Sequence, residues 1–71
     1  MRTFKLKEDE EYITLGQLLK AVGLVDNGDQ AKADIQAGYV KVNGMTDTRR
    51  GKKLRAGDTV DYDGNEVRIV D

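Results

Sequence analysis

The sequence predicts an α+β fold in which a short strand and two short helices precede several short strands. Three observations carry that prediction. Leu15, Leu18, Leu19 and Val22 recur at i, i+3, i+4 and i+7, the spacing of one helix face. From Gly38 onward the period is two, with Val40 and Val42 on one side and Tyr39 and Lys41 on the other. Asn43-Gly44 and Asp63-Gly64 are dipeptides that close tight hairpins.

Taken in order, "TFKLK" alternates Phe4 and Leu6 with Lys5 and Lys7 and predicts the first strand, after which "EDEEY" reads as an exposed connector. The first helix has a doubly marked start. Thr14 and Gln17 have the spacing of a capping box, and Ile13 and Leu18 that of a hydrophobic staple. Gly23 marks its end. A turn at Asn27-Gly28 leads to a second, short helix with Asp29 near its start, where a negative charge is favoured, and Gly38 as its stop. Its buried side holds Ala31, Ile35 and Ala37, small enough to let the two helices approach closely. The end of the chain predicts a hairpin, with Val60 and Tyr62 facing Val67 and Ile69 across Asp63-Gly64.

Composition narrows the function. A chain of 71 residues is expected to form one domain, residues 1–71, with a thin core and little room for an enclosed substrate cavity. It contains no cysteine and no histidine, so thiolate ligands, disulfides, the commonest metal ligand and the usual proton shuttle are all absent. We therefore expect no enzyme activity, no cofactor, no metal and no small-molecule substrate. No run approaches the ~20 apolar residues of a membrane span, and the N-terminus turns acidic where a signal peptide needs an apolar stretch. The expectation is a cytoplasmic protein without membrane contact.

Charge is sorted along the chain rather than mixed. Residues 1–37 carry five Lys/Arg against seven Asp/Glu, residues 38–57 six against one, and residues 58–71 one against five. The formal net charge of −1 conceals this, because an anionic partner feels the local field within roughly 10 Å. The stretch "DTRRGKKLRAGD" places Arg49, Arg50, Lys52, Lys53 and Arg55 side by side. Like charges this close repel one another, whereas a phosphate backbone rewards their crowding through counterion release. These five are the main candidate contacts to a polyanion. Leu54 is expected to anchor the segment, so that Lys53 and Arg55 project from a held backbone. Lys32, near the start of the second helix, and Lys41, alternating out of its strand, would extend the surface. Gln30 and Asn43 would orient the ligand by hydrogen bonding, although each also suits a local role, Gln30 in capping its helix and Asn43 in forming the turn.

Other chemistry is excluded by spacing. A calcium loop built on "GDTVDYDG" would require an acid at Thr59 and a glutamate at Val70. Asp58 and Asp63 flank turn glycines and are expected to be structural. The glycine, lysine and hydroxyl pattern of a phosphate-binding loop is missing. Phe4, Tyr12, Tyr39 and Tyr62 are the only aromatics and none lies within the basic run, so the sequence predicts no base-stacking platform.

Helix, turn, helix, glycine, "YVKVNG" and then "LRAGD" form an ordered set that resembles the RNA-binding domain named for ribosomal small-subunit protein four, the S-four domain, and within it the small free-standing YaaA/YbcJ-like group. The resemblance spans roughly residues 13–60 and is carried by Leu15, Leu19, Gly23-Leu24, Gln30-Ala31-Lys32, Ile35, Gly38, Val42-Asn43-Gly44 and Gly57-Asp58. It implies two short packed helices followed by a small bent antiparallel sheet, the alpha-L motif, here with an N-terminal strand and a C-terminal hairpin. It also implies an RNA surface built from both helices and the start of the following hairpin, beside the Asn43 turn. This chain departs from the family at three positions: Thr14 and Gly28 stand where arginine is usual, and Gly16 where aspartate is usual. Two familiar phosphate contacts are thus missing, and the Arg49–Arg55 cluster is expected to compensate. The function implied is non-catalytic binding of structured RNA through backbone and shape, with ribosomal RNA and ribosomal particles as targets and a role in ribosome assembly or quality control. The competing reading is a protein-interaction module whose basic loop docks on an acidic protein surface.

Overall fold

The computed structural model describes residues 1–71. The elements in chain order are β1 (Arg2–Lys5), β2 (Ile13–Thr14), α1 (Leu15–Ala21), α2 (Gly28–Gln36), β3 (Val40–Val42), β4 (Met45–Thr46), β5 (Lys53–Leu54), β6 (Thr59–Tyr62) and β7 (Asn65–Val70).

The helix ends follow their local chemistry. Thr14 is the N-cap of α1: its hydroxyl accepts from the Gln17 N–H, and the Gln17 side chain accepts from the Thr14 N–H, the reciprocal capping box. Ile13 and Leu18, the two staple positions, are both buried. Both helices close in the Schellman geometry. Gly23 (φ 76°) and Gly38 (φ 87°) sit just past their ends in a left-handed conformation that costs glycine nothing. The N–H of Leu24 then reaches back to Leu19 O, and that of Tyr39 to Asp34 O. At the start of α2 the Asn27 side chain caps the Gln30 N–H at 2.8 Å.

The helices cover one face of a five-stranded sheet ordered β1-β7-β6-β3-β4. Leu15, Leu18, Leu19, Ala31 and Ile35 from the helices join Val40, Val42, Val60, Val67 and Ile69 from the strands in one core, with Leu6, Ile13, Val25 and Leu54 completing it. No charged or polar side chain is buried there. The α+β class with two packed helices is as expected. The sheet, however, is mixed and not purely antiparallel, because β1 pairs parallel to β7, Phe4 opposite Ile69. A parallel pair needs a crossover of a dozen or more residues, and both helices lie between these strands.

Two further differences concern register. The final hairpin sets Val60 opposite Val67 as expected, but Tyr62 opposite Asn65. A two-residue turn at Asp63-Gly64 leaves Ile69 beyond the β6–β7 pairs, its N–H donating to Asp58 O. A separate two-stranded ladder, β2 with β5, pairs Ile13 with Leu54 and Thr14 with Lys53. A dipeptide strand such as Ile13–Thr14 has no periodicity for the sequence to reveal.

Candidate nucleic-acid interface

The basic segment is a held surface and not a free loop. Leu54 is fully buried, as its role of anchor required. Upstream, the Leu15 N–H donates to Lys52 O at 2.9 Å and the Gly16 N–H to Arg50 O at 3.0 Å. Two of the donors that every helix start leaves without an intrahelical partner are therefore satisfied by carbonyls of the basic loop. The approach is close enough that a Cβ at position 16 would stand 2.6 Å from Arg50 Cγ. Glycine at 16 is what admits the Arg50 stem against the helix.

The loop's cations border three features. Arg50 and Gly51 face a cleft of about 220 Å³ closed by Thr14, Gly16, Lys20 and Gly28. All three positions at which the chain departs from the S-four pattern line this cleft, so the charge it holds comes from Arg50 and Lys20. Arg49 and Lys52 line a second, open groove beside Asn43, Met45 and Thr46. Lys53 and Arg55 project from the outer side of the β2–β5 ladder, where Lys53 Nζ lies 5.0 Å and Arg55 Cζ 5.8 Å from the centre of the Tyr12 ring.

Four of the five cations have no carboxylate partner; the exception is Arg49. Its guanidinium donates through Nε to Asp47 Oδ1 at 3.0 Å and through Nη2 to Asp47 Oδ2 at 2.8 Å, the only ion pair in the molecule. The Arg49 side-chain bond, aided by the Arg49 amide and by the charges of Arg49 and Lys52, holds the Asp47 carboxyl below its ordinary range against the effect of burial. The guanidinium remains exposed, but its charge is locally offset.

The remaining predicted residues are dispersed. Lys32 is exposed one helical turn after Gly28 and shares the helix face that borders the cleft. Lys41 stands on the side of the sheet away from the helices, cross-strand from Thr46 and Asp61, because Val40 and Val42 turn inward. Thr46, its cross-strand partner, lines the groove that also holds Arg49 and Lys52. Gln30 uses its side-chain oxygen to accept from the Asp26 N–H at 3.0 Å, the local capping role. Asn43 is likewise committed within the fold: its Oδ1 accepts from the Thr59 N–H at 2.9 Å and its Nδ2 donates to Asp58 Oδ1 at 3.1 Å. Asp58 also accepts from the Arg55 N–H at 2.8 Å, which fixes the loop's downstream end.

Sequence reasoning missed three neighbours of the site. Lys20 was legible only as a polar position off the apolar stripe, Asp47 as the one acid beside the basic run, and Tyr12 only as an aromatic outside that run, set aside as a stacking platform for that reason. No cluster of acidic residues is arranged to hold a metal, and no helix is long and apolar enough to cross a membrane.

The chain is 41% identical over 70 residues to the protein named "Putative RNA-binding protein YbcJ" of Escherichia coli (strain K12), covering 99% of both chains. It is 45% identical over 56 residues to RlbA of Bacillus subtilis (strain 168), named as a probable ribosome maturation protein, covering 79% of each. The solution structure of E. coli YbcJ, described as revealing an alphaL motif involved in RNA binding, superposes with a TM-score of 0.74 at 41% identity, covering 100% of this chain and 89% of that one. The 30S ribosomal protein S4e of Thermoplasma acidophilum shares the fold, with a TM-score of 0.70 at 23% identity over 84% of this chain and 32% of its own. Residues 4–70 match the S4 domain, and the chain belongs to that family.

Proposed function

We propose that this protein binds structured RNA through phosphate backbone and shape, without catalysis, and that its target is ribosomal RNA during ribosome assembly or quality control. One observation carries the reading: four cations without carboxylate partners, Arg50, Lys52, Lys53 and Arg55, are mounted on a backbone locked to the start of α1. A site that meets a polyanion gains from a backbone that is already ordered, since little loop entropy remains to be lost on binding. The acidic segments on either side disfavour RNA elsewhere and confine it to this end. The ribosomal target rests on the likeness to RlbA, and RNA as the ligand class on that to YbcJ.

The test is a salt series of affinity for a ribosomal RNA fragment, comparing the protein with Arg50→Ala, Lys52→Ala, Lys53→Ala and Arg55→Ala. Each lost phosphate contact is expected to flatten the logarithmic salt slope by up to about one. A salt-insensitive slope, or co-purification of an acidic protein that survives nuclease, would replace RNA by a protein partner.

A further inference from the structure

We infer that Tyr12 is a stacking platform for one unpaired nucleotide of the bound RNA, with Lys53 and Arg55 receiving the phosphate next to that base. The inference rests on the RNA-binding reading above and specifies the class of RNA.

The β2–β5 register creates the site. Ile13 and Leu54 pair and turn into the core, so the residues flanking them face outward: Tyr12, just before β2, with Thr14 on one side, and Lys53 with Arg55, just after β5, on the other. Tyr12 is 38% exposed and is not among the aromatics that pack against the core, as Phe4 and Tyr62 do. It directly precedes the ladder, and its ring neighbours are the two cations at 5.0 and 5.8 Å.

A nucleotide offers what each member of this trio binds. Its base has a π-face for the phenol ring, and its phosphate lies close enough to the base to be reached by cations that already flank that ring. In the free protein the ring quadrupole holds the cations near the aromatic face. A phosphate outcompetes a ring for an ammonium or a guanidinium, because it carries a full charge and accepts hydrogen bonds. Both cations sit on flexible stems, so phosphate binding draws them from the ring and frees its face for a base. A base inside a helix has both faces covered by its neighbours, so the occupant must be an unpaired base, from a bulge or a loop. Helical flanks would meanwhile be gripped through phosphates by Arg50, Lys52 and Lys20.

Two RNA hairpins test this: one with a single bulged 2-aminopurine, the other fully paired, each titrated at several salt concentrations with the wild-type protein, Tyr12→Leu and Tyr12→Phe. The expected result is tighter binding of the bulged hairpin by wild type, with quenching of 2-aminopurine fluorescence. Tyr12→Leu should bind the bulged hairpin roughly 5- to 100-fold more weakly, without change on the paired one, and Tyr12→Phe should retain the preference. Equal losses on both hairpins, or unquenched fluorescence in the wild-type complex, would overturn the stacking role while leaving the RNA reading intact. If the wild type binds neither hairpin in a salt-dependent way, both fall together.

Discussion

Gly16 and Arg50 are interlocked: the Gly16 N–H donates to the Arg50 carbonyl at 3.0 Å, and the Arg50 side chain fills the place a Cβ would take, with Cγ 2.6 Å and Cδ 3.3 Å from it. Gly28, at the start of α2, borders the same cleft with nothing within 4 Å of its own Cβ position. Helix propensity alone would reward alanine at either site by up to about 1 kcal/mol. The two substitutions are expected to diverge. Gly28→Ala should raise the melting temperature, by up to about 4–8 °C for a domain of this size. Gly16→Ala must push Arg50 outward, so it should gain no stability and should weaken RNA binding. Thermal unfolding and a binding titration of the pair separate the outcomes, and equal stabilisation by both would show that the Arg50 stem yields without cost.

Asp47 tempers the interface. It is the only acid in residues 38–57 and it holds the Arg49 guanidinium in both directions, through Nε and Nη2. Asp47→Asn removes the charge and keeps an oxygen for the Arg49 N–H, which Asp47 Oδ1 accepts at 2.9 Å. RNA affinity at low salt is expected to rise a few-fold, with a salt slope steeper by up to about one. Arg49→Ala in the unmodified protein should cost less affinity than Arg50→Ala. Both comparisons are read from one salt series.

What the sequence made legible was local. The Thr14 and Gln17 box, the Gly23 and Gly38 stops and the Asn43-Gly44 turn each lie within a few residues of the groups they serve, so spacing alone revealed them. The crowding of cations from Arg49 to Arg55 was equally plain. Long-range pairings were not. Tyr12 meets Arg55 only because β2 pairs with β5, and neither dipeptide strand has a periodic signature. Gly16 stood out as a departure from the family pattern, yet that Arg50 occupies its side-chain space is a fact of tertiary packing. The parallel placement of β1 depended on a crossover through both helices. Lys41 alternated outward as read, since period two gives the alternation, but not which face the helices cover.

Asn43 and Asp58 form a clasp that joins the β3–β4 turn to the start of β6. Asn43 has φ 52°, which glycine adopts freely and alanine does not. Asn43→Gly should therefore lose the two side-chain hydrogen bonds, about 1 kcal/mol each, together with glycine's extra chain entropy, and Asn43→Ala should lose the same bonds and add strain. On Asp58, burial acts to raise the carboxyl pKa, but the Arg55 N–H, the Asn43 amide and the charges of Lys52 and Arg55 outweigh it and hold the group below its ordinary value. A carboxyl depressed in the native state contributes stability that is complete above the unfolded value of about 3.9 and is lost as pH falls through the native one. Acid unfolding of Asp58→Asn should lack that part of the decline, which chemical denaturation across the acid range would reveal.

Tyr62 sets the alkaline limb by the opposite logic. Its hydroxyl donates to Asp34 Oδ2 at 2.5 Å, tying β6 to α2. That hydrogen bond first, then burial and the nearby charge of Asp34, push its pKa up to about 12. Ionisation would break the bond and set a phenolate against a carboxylate. Because the native value is raised, the stabilisation is complete below the unfolded tyrosine value of about 10 and disappears as pH climbs through the native one. Tyrosinate absorbance should therefore contain a late step near pH 12 that is missing in Tyr62→Phe and moves to lower pH in Asp34→Asn. Since the bond lies away from the basic loop, neither substitution should alter the salt slope for RNA. A late step that persists in Tyr62→Phe would assign it to another tyrosine and remove this link between helix and sheet from the account of stability.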